Sequence, residues 1–283
     1  MTTESKHVRI DAHQHFWKYS PSEYPWIGSG MERLAKNYLP SDLQEIATPC
    51  GISGSVAVQA RQSIQESHWL LGLAEKTDFI KGVVGWVDLR SEHVVNDLTD
   101  LAQHKKFVGV RHVVQDEPDP QFLLGEAFVS GLKHLHNWGL TYDLLLYPPQ
   151  LVVATQLVGR MPDQFFVLDH LAKPRIKKNE IKQWSSDLNA LARYDNVYCK
   201  LSGLVTEADW QSWSVKDLKP YLDVALKAFG AERLMFGSDW PVCLLAGEYA
   251  DVIGVVEDFL KSLSQDEQQR IWGQTAKHFY GLS

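Results

Sequence analysis

The chain is poor in cysteine. Cys50, Cys199 and Cys243 stand far apart and are odd in number, which argues against a disulfide framework and a paired-thiol metal site. Reduced thiols in a cytoplasmic compartment are expected. No apolar run reaches membrane-spanning length. Residues 1–7 are polar and lack the apolar core of a secretion signal. Neither membrane insertion nor export is expected. Excess positive charge is missing too: the formal net charge is −7 with both signs interspersed, whereas a nucleic-acid partner would want a basic face. No Gly-x-Gly-x-x-Gly follows an apolar run, which counts against an open dinucleotide-binding sheet. No Gly-x-Ser-x-Gly elbow occurs, so a serine-esterase route has no support. Low-complexity tracts, long linkers and breaks in composition are absent, and residues 1–283 read as one domain.

What is present is apolar surface and alternation. Hydrophobic residues make up 45% of the 283, enough for a large core, and the length suits an α/β barrel of about 250 residues. Eight β-like runs occur at 8–13, 53–60, 80–89, 107–114, 141–147, 164–170, 196–202 and 233–238. Val83-Val84-Gly85-Trp86-Val87 and Phe165-Phe166-Val167-Leu168 are nearly continuous apolar runs, as in parallel strands buried on both faces. Helical stretches alternate with them. One opens at Ser41-Asp42 after Pro40, and others cover 63–77, 122–138, 180–194, 216–229, 249–263 and 265–280. Pro148-Pro149 opens one more. Eight alternations with right-handed crossovers close most simply into a (β/α)8 TIM barrel.

In such a barrel the chemistry sits at the C-terminal ends of the strands. Strand one ends in Asp11-Ala12-His13-Gln14-His15, and alternation puts His13 and His15 on one face with Asp11 below them. Two adjacent imidazoles can hold a metal or donate together to one substrate oxygen. Gln59 and Arg61 end strand two, and Arg111 and His112 lie on strand four. Asp169 and His170 end strand six, Lys200 and Ser202 lie on strand seven, and Ser238-Asp239-Trp240-Pro241 ends strand eight. Taken singly, each has a plain explanation as an ion pair, a satisfied core histidine or a cap. Six strand ends agreeing on one rim point to a site. The loop over 16–39 carries Trp17, Tyr19, Tyr24, Trp26 and Tyr38 and would hang over the barrel mouth, where flat rings suit a polyhydroxylated ring. Most of these rings are expected to pack the loop. Trp17 and Trp26 are the candidate contacts, with Trp210 and Trp213 as further ones.

Four stretches of wording resemble one family. They are Asp11-Ala12-His13-Gln14-His15-Phe16-Trp17, Val110-Arg111-His112-Val113-Val114-Gln115-Asp116-Glu117-Pro118, Leu168-Asp169-His170-Leu171-Ala172-Lys173-Pro174 and Phe236-Gly237-Ser238-Asp239-Trp240-Pro241. In that order, and over nearly the whole chain, they are similar to the lactonase branch of the amidohydrolase superfamily. That branch includes L-fucono-lactone and L-rhamnono-lactone hydrolases and a pyrone-dicarboxylate hydrolase. The resemblance implies a distorted (β/α)8 barrel that hydrolyses a cyclic ester. It places His13 and His15 at the metal or carbonyl position, His170 and Asp239 at the strand-six and strand-eight positions, and Arg111 as a substrate contact. Gln59 and His112, at neighbouring strand ends, join Arg111 as candidate contacts.

Metal-dependent members carry a Lys, Glu or His at the end of strand five. Here Thr141-Tyr142-Asp143-Leu144-Leu145-Leu146-Tyr147 ends without one, so a two-ion centre is not expected. A single divalent ion, zinc first, on His13, His15 and Asp239 is compatible with these residues, and so is a metal-free site like that of some members. The expected chemistry is hydrolysis of a neutral sugar-acid lactone. Asp239 is the base, His170 holds the water, and His13 and His15 stabilise the oxyanion directly or through an ion. Arg111 binds a ring hydroxyl or a carboxylate. The alternatives are a dicarboxylate-lactone hydrolase, a metal-dependent decarboxylase of the same superfamily, and a non-catalytic barrel that binds a sugar acid.

Overall fold

The structure is a computed structural model that describes residues 8–283, so the polar stretch 1–7 lies outside the described residues. Eight parallel strands follow one another in chain order: β1 (Ile10–Gln14), β2 (Gly54–Val58), β3 (Ile80–Gly85), β4 (Phe107–His112), β5 (Thr141–Leu144), β6 (Phe166–Leu168), β7 (Val197–Leu201) and β8 (Leu234–Phe236). Past β8 the chain turns back onto β1. Asp239 N donates to His13 O at 2.8 Å and His15 N to Trp240 O at 2.7 Å. These bonds close the expected (β/α)8 barrel, and they are made by the residues that carry the rim chemistry.

The strands stop earlier than the apolar runs predict. β3 ends at Gly85 because Trp86 N donates to Ser67 Oγ (2.7 Å) on the preceding helix instead of to a neighbouring strand. β6 ends at Leu168, two residues before the backbone turns left-handed at His170. The residues released this way build the rim.

The helices are α1 (Pro40–Ala47), α2 (Ile64–Lys76), α3 (Val94–Leu101), α4 (Glu126–Lys133), α5 (Leu151–Gly159), α6 (Lys182–Leu191), α7 (Leu204–Glu207), α8 (Val215–Phe229), α9 (Tyr249–Leu260), α10 (Gln265–Gln269) and α11 (Thr275–Tyr280). Ser63 caps α2 by accepting from Glu66 N. α3 is not among the expected helices, because its stripe of Val94, Leu98 and Leu101 is too short to stand out. The helix expected over 122–138 is broken at Gly125, which is extended between a 3-10 turn and α4. One π-helical turn, Arg270–Gln274, joins α10 to α11. There a Cβ on Gly273 would lie 2.3 Å from Val8 O, so glycine is what lets this helix abut the chain entering β1.

Most of the core lies between the strands and the helices. A second cluster packs Ile10, Ala12, Val56, Val58, Val84, Val167 and Met235 of the strands against Ala276, Phe279 and Tyr280 of α11. The last helix thus closes the end of the barrel opposite the rim.

Candidate active site

Four buried side chains from three strand ends converge. His13 lies in β1, His15 just past it, His170 in the turn after β6, and Asp239 just past β8. His13 Nε2 is 3.2 Å from His15 Nε2 and 3.8 Å from Asp239 Oδ1. His15 Nε2 is 3.4 Å and His170 Nε2 3.8 Å from that same oxygen. Left-handed backbone makes the meeting possible: His170, Leu171, Ala172 and Lys173 have φ of 52°, 53°, 58° and 51°, and Asp239 has 59°. Gly203, at φ 65°, leaves room for the imidazole of His170; a Cβ there would lie 2.6 Å from Nδ1. Asp11 is not beneath the imidazoles as alternation predicts, because the register of β1 shifts between Asp11 and Gln14. Its carboxylate accepts instead from Ser238 N (2.9 Å), Ser238 Oγ (2.6 Å) and Tyr249 OH (3.0 Å), and so anchors the chain that presents Asp239.

The outer nitrogens decide what the inner ones offer. His15 Nδ1 donates to Val58 O (2.8 Å), since a carbonyl only accepts, and this leaves a lone pair on Nε2. His13 Nδ1 lies 3.1 Å from Lys200 Nζ and 3.2 Å from Asp169 Oδ1, partners that suit either tautomer. Arg111 Nη1, 3.3 Å from His13 Nε2, only donates, which selects the lone pair on Nε2. His170 Nδ1 meets Ser202 Oγ at 2.8 Å. Burial, partly opposed by Asp169, holds the His13 imidazole well below its ordinary value, and burial lowers His170 to about 4. Burial would raise Asp239, but His170, His15 and His13 together outweigh it and hold its carboxyl below the usual range.

The imidazoles of His13 and His170, which burial holds neutral, are therefore brought together with a carboxylate beside His15. Lone pairs 3.2 Å apart repel unless a proton or cation lies between them. In a tetrahedral zinc site with Zn–N of about 2.0–2.1 Å the ligand atoms stand roughly 3.3–3.4 Å apart. The donor set thus fits a divalent ion. His13, His170 and Asp239 form the compact group, with ligand atoms within 4.8 Å of one another, and His15 flanks it. The expected trio of His13, His15 and Asp239 is in this way enlarged by His170.

Beneath the site runs a buried charge network that the sequence reading did not assemble. Asp169 Oδ2 accepts from Arg111 Nη1 (3.0 Å), while its Oδ1 lies 3.0 Å from Lys200 Nζ. That Oδ1 contact is electrostatic, because its angles close no hydrogen bond. Lys200 Nζ donates to Asp143 Oδ2 (2.5 Å), which also accepts from Tyr280 OH (2.9 Å). Burial pushes the Asp143 carboxyl up to about 6 although Lys200 pulls it down. Asp169 stays well below the usual range because Lys200, His13 and Arg111 outweigh its burial.

Above this floor opens a pocket of about 690 Å³, in the size range of small-molecule sites. His15, His170, Asp239 and Arg111 reach it from below. Trp17 also lines it, although its side chain is fully buried. Its ring is buried against Tyr24, Trp26 and Tyr38, and its Nε1 donates to Lys36 O (2.9 Å). Trp26 is 40% exposed and lines the pocket.

Two expected contacts are corrected. His112 alternates away from Arg111 and stacks on Phe122, with Nε2 donating to Glu117 (2.6 Å) and Nδ1 accepting from Trp86 Nε1 (3.2 Å). Gln59 is fully buried behind Arg111. Its Nε2 donates to Arg111 O, and its own carbonyl accepts from Arg111 Nη2. Neither lines the pocket. Trp210 and Trp213 donate to Thr206 O and Ala246 O and do not line it either. The sequence reading passed over Lys173, which does line it; its place three residues after His170 was the available signal.

The sequence pattern of the amidohydrolase family matches residues 10–282, and the chain belongs to that family. An L-fucono-1,5-lactonase from Burkholderia multivorans is 41% identical over 97% of this chain and 96% of its own length. One from Burkholderia ambifaria is 34% identical over 97% and 96%. A crystal structure of an amidohydrolase from Burkholderia multivorans with bound zinc aligns at a TM-score of 0.95 and 41% identity, covering 98% of this chain and 100% of that one. A probable 2-pyrone-4,6-dicarboxylic acid hydrolase from Acinetobacter baumannii shares the fold, with a TM-score of 0.75 at 17% identity over 97% and 99%.

Proposed function

We propose that this protein hydrolyses a neutral sugar-acid lactone, of the L-fucono-1,5-lactone kind, to its hydroxy acid. The observation that carries this reading is the meeting of the Asp239 carboxylate with three imidazoles on the floor of a pocket. The two Burkholderia lactonases support the choice of reaction. Pairing of the pocket's arginines supports a neutral substrate: Arg61 is held by Glu23 and Glu66, and Arg111 by Asp169. A lactone with two carboxylates meets no pair of free arginines there.

Asp239 is the base. Its Oδ1 faces the imidazoles, and Oδ2 takes the proton of the attacking water. His170 orients that water. Arg111 Nη1, beside His13 Nε2, places fixed positive charge where the tetrahedral oxyanion develops. Protonated Asp239 then returns its proton to the leaving ring alkoxide. Nε2 of His13, His15 and His170 with Asp239 Oδ1 would hold one divalent ion, zinc by the nitrogen-rich donor set, which when bound supplies Lewis-acid polarisation of the carbonyl. Trp26 offers a flat face to the sugar ring.

On this reading the chain is one barrel domain in a reducing, cytoplasm-like compartment. Its cysteines are free, and no helix among the described residues is long and apolar enough to cross a membrane. The test is acid release from a panel of aldonolactones, with the highest kcat/KM expected on the L-fucono-1,5-lactone type. Carbon dioxide release from aromatic acids, with no acid from any lactone, would move the assignment to a decarboxylase.

A further inference from the structure

The wall of the catalytic pocket carries a guanidinium that the proposed chemistry does not use. Arg61 lies just past β2 and lines the pocket. Glu66, fully buried in the first turn of α2, holds it from behind. One oxygen of that carboxylate accepts from Ala60 N (2.9 Å) and Arg61 N (2.7 Å). The other accepts from Tyr24 OH (3.2 Å) and Arg61 Nε (3.5 Å). Arg61 Nη1 donates to Glu23 at 2.6 Å, and its guanidinium carbon lies 5.2 Å from the ring centre of Tyr24. Arg61 Nη2 makes no hydrogen bond among the described residues.

The guanidinium is planar and rigid, so these contacts fix where the unspent N–H groups of Nη2 lie. Other polar groups of the wall differ. Gln62 and Asp116 are exposed, and water serves them. Gln115 and Lys173 are half-buried, but no hydrogen bond holds their side chains among the described residues. Arg61 is both sheltered and held. A donor fixed before binding loses little freedom when it bonds a ligand. Its charge is already met by two carboxylates, so a ligand carboxylate gains little beside it, and a neutral oxygen such as a hydroxyl is the matching acceptor. An L-fucono-1,5-lactone offers such hydroxyls on its ring carbons, and only a methyl outside the ring.

From the held guanidinium and its unspent donors, we infer that Arg61 is a specificity-determining residue whose Nη2 donates to a ring hydroxyl of the lactone. Glu66, Glu23 and Tyr24 keep it in position. This rests on the lactonase reading above. The test compares kcat/KM on an aldono-1,5-lactone with that on analogues lacking one ring hydroxyl at a time, for wild type, Arg61→Met, Arg61→Gln and Glu23→Ala. Thermal melting checks that each variant folds.

In Arg61→Met the loss on the parent lactone should exceed the loss on one of the deoxy analogues by about tenfold or more, the range for a hydrogen bond to a charged group. Arg61→Gln still donates to Glu66 but is too short to replace Nη2, so it should show the same selective loss and serves where the Met variant does not fold. Glu23→Ala unties Arg61 from the loop that carries Trp26 but keeps Nη2, and should lose about equally on every lactone. Equal losses on all lactones in the folded Arg61 variants, no loss at all, or the same selective loss in Glu23→Ala, overturns the role of Arg61 alone. A wild type inactive on every lactone overturns the lactonase reading and this role with it.

Discussion

Replacing Lys200 with Met tests the charge network under the site. Its ammonium is fully buried, 2.5 Å from Asp143 Oδ2, 3.0 Å from Asp169 Oδ1 and 3.1 Å from His13 Nδ1. Met fills similar space without charge. Removing one partner of a buried ion pair costs about 3–5 kcal/mol, because the other charge is left uncompensated. Here Arg111 still serves Asp169 and Tyr280 still serves Asp143, so the lower end is expected, about 3 kcal/mol. For a chain of this size that lowers Tm by roughly 6–12 °C.

The pH dependence has a definite sign. The folded Asp143 carboxyl is already raised to about 6, and without Lys200 it rises further. A raised acid binds its proton more tightly in the folded state. Its contribution is fully present below the unfolded value, about 4, and is lost as pH climbs through the folded one. The cost of Lys200→Met should therefore shrink from pH 8 to pH 5. Adding Asp143→Asn should restore at least half of it at pH 8, since the amide still accepts from Tyr280. Urea unfolding of wild type, both single variants and the double variant at three pH values reads all of this. A loss under about 1 kcal/mol, far below the range for a broken buried pair, or a loss that grows on acidification, refutes the reasoning.

Asp239→Asn keeps the shape but accepts no proton. Folding and lactone binding should survive while kcat falls about 10²–10⁴-fold, and a variant with unchanged ion content and near-wild-type kcat would pass the base role to His170. Metal analysis should give at most one divalent ion per chain, lowered by His13→Ala; two per chain contradict the single donor set, and full activity after metal removal would leave Arg111 as the group that stabilises the oxyanion. A pyrone dicarboxylate turned over faster than every aldonolactone would overturn the neutral-substrate reading, which rests on the pairing of Arg61 and Arg111.

The barrel was legible because parallel strands buried on both faces leave dense apolar runs, and eight of them are hard to arrange otherwise. His13, His15, His170 and Asp239 were legible because polar residues at six strand ends agree on one rim, although each alone has a packing explanation. His112 misled, since a polar residue beside Arg111 on a strand faces the other way, where Phe122, Glu117 and Trp86 satisfy it. Asp143 was overlooked because attention to strand ends hides a residue in the middle of β5, although alternation aims it at Lys200 across the interior. The turn over 170–173 has no sequence signal at all. Left-handed residues are normally announced by glycine or asparagine, and His-Leu-Ala-Lys contains neither.

That missing signal also bears on energetics. Five non-glycine residues at the site hold positive φ, at about 1–2 kcal/mol each, so roughly 5–10 kcal/mol opposes this arrangement of the rim, comparable with the net stability of a typical domain. Such a turn persists only where its surroundings over-determine it. They do so here: Leu171 and Ala172 are fully buried, Trp184 Nε1 donates to Leu171 O at 2.7 Å, and Lys173 N donates to His170 O at 2.7 Å. Asp169 at the head of the turn is tied to Arg111, and His170 is tied to Ser202. A relaxed right-handed path would satisfy the backbone at lower cost but would turn His170 away from Asp239. The strain therefore lies where the proposed chemistry needs two side chains from the ends of β6 and β8 to meet, and the packing of α6 and β7 around the turn is what sustains it.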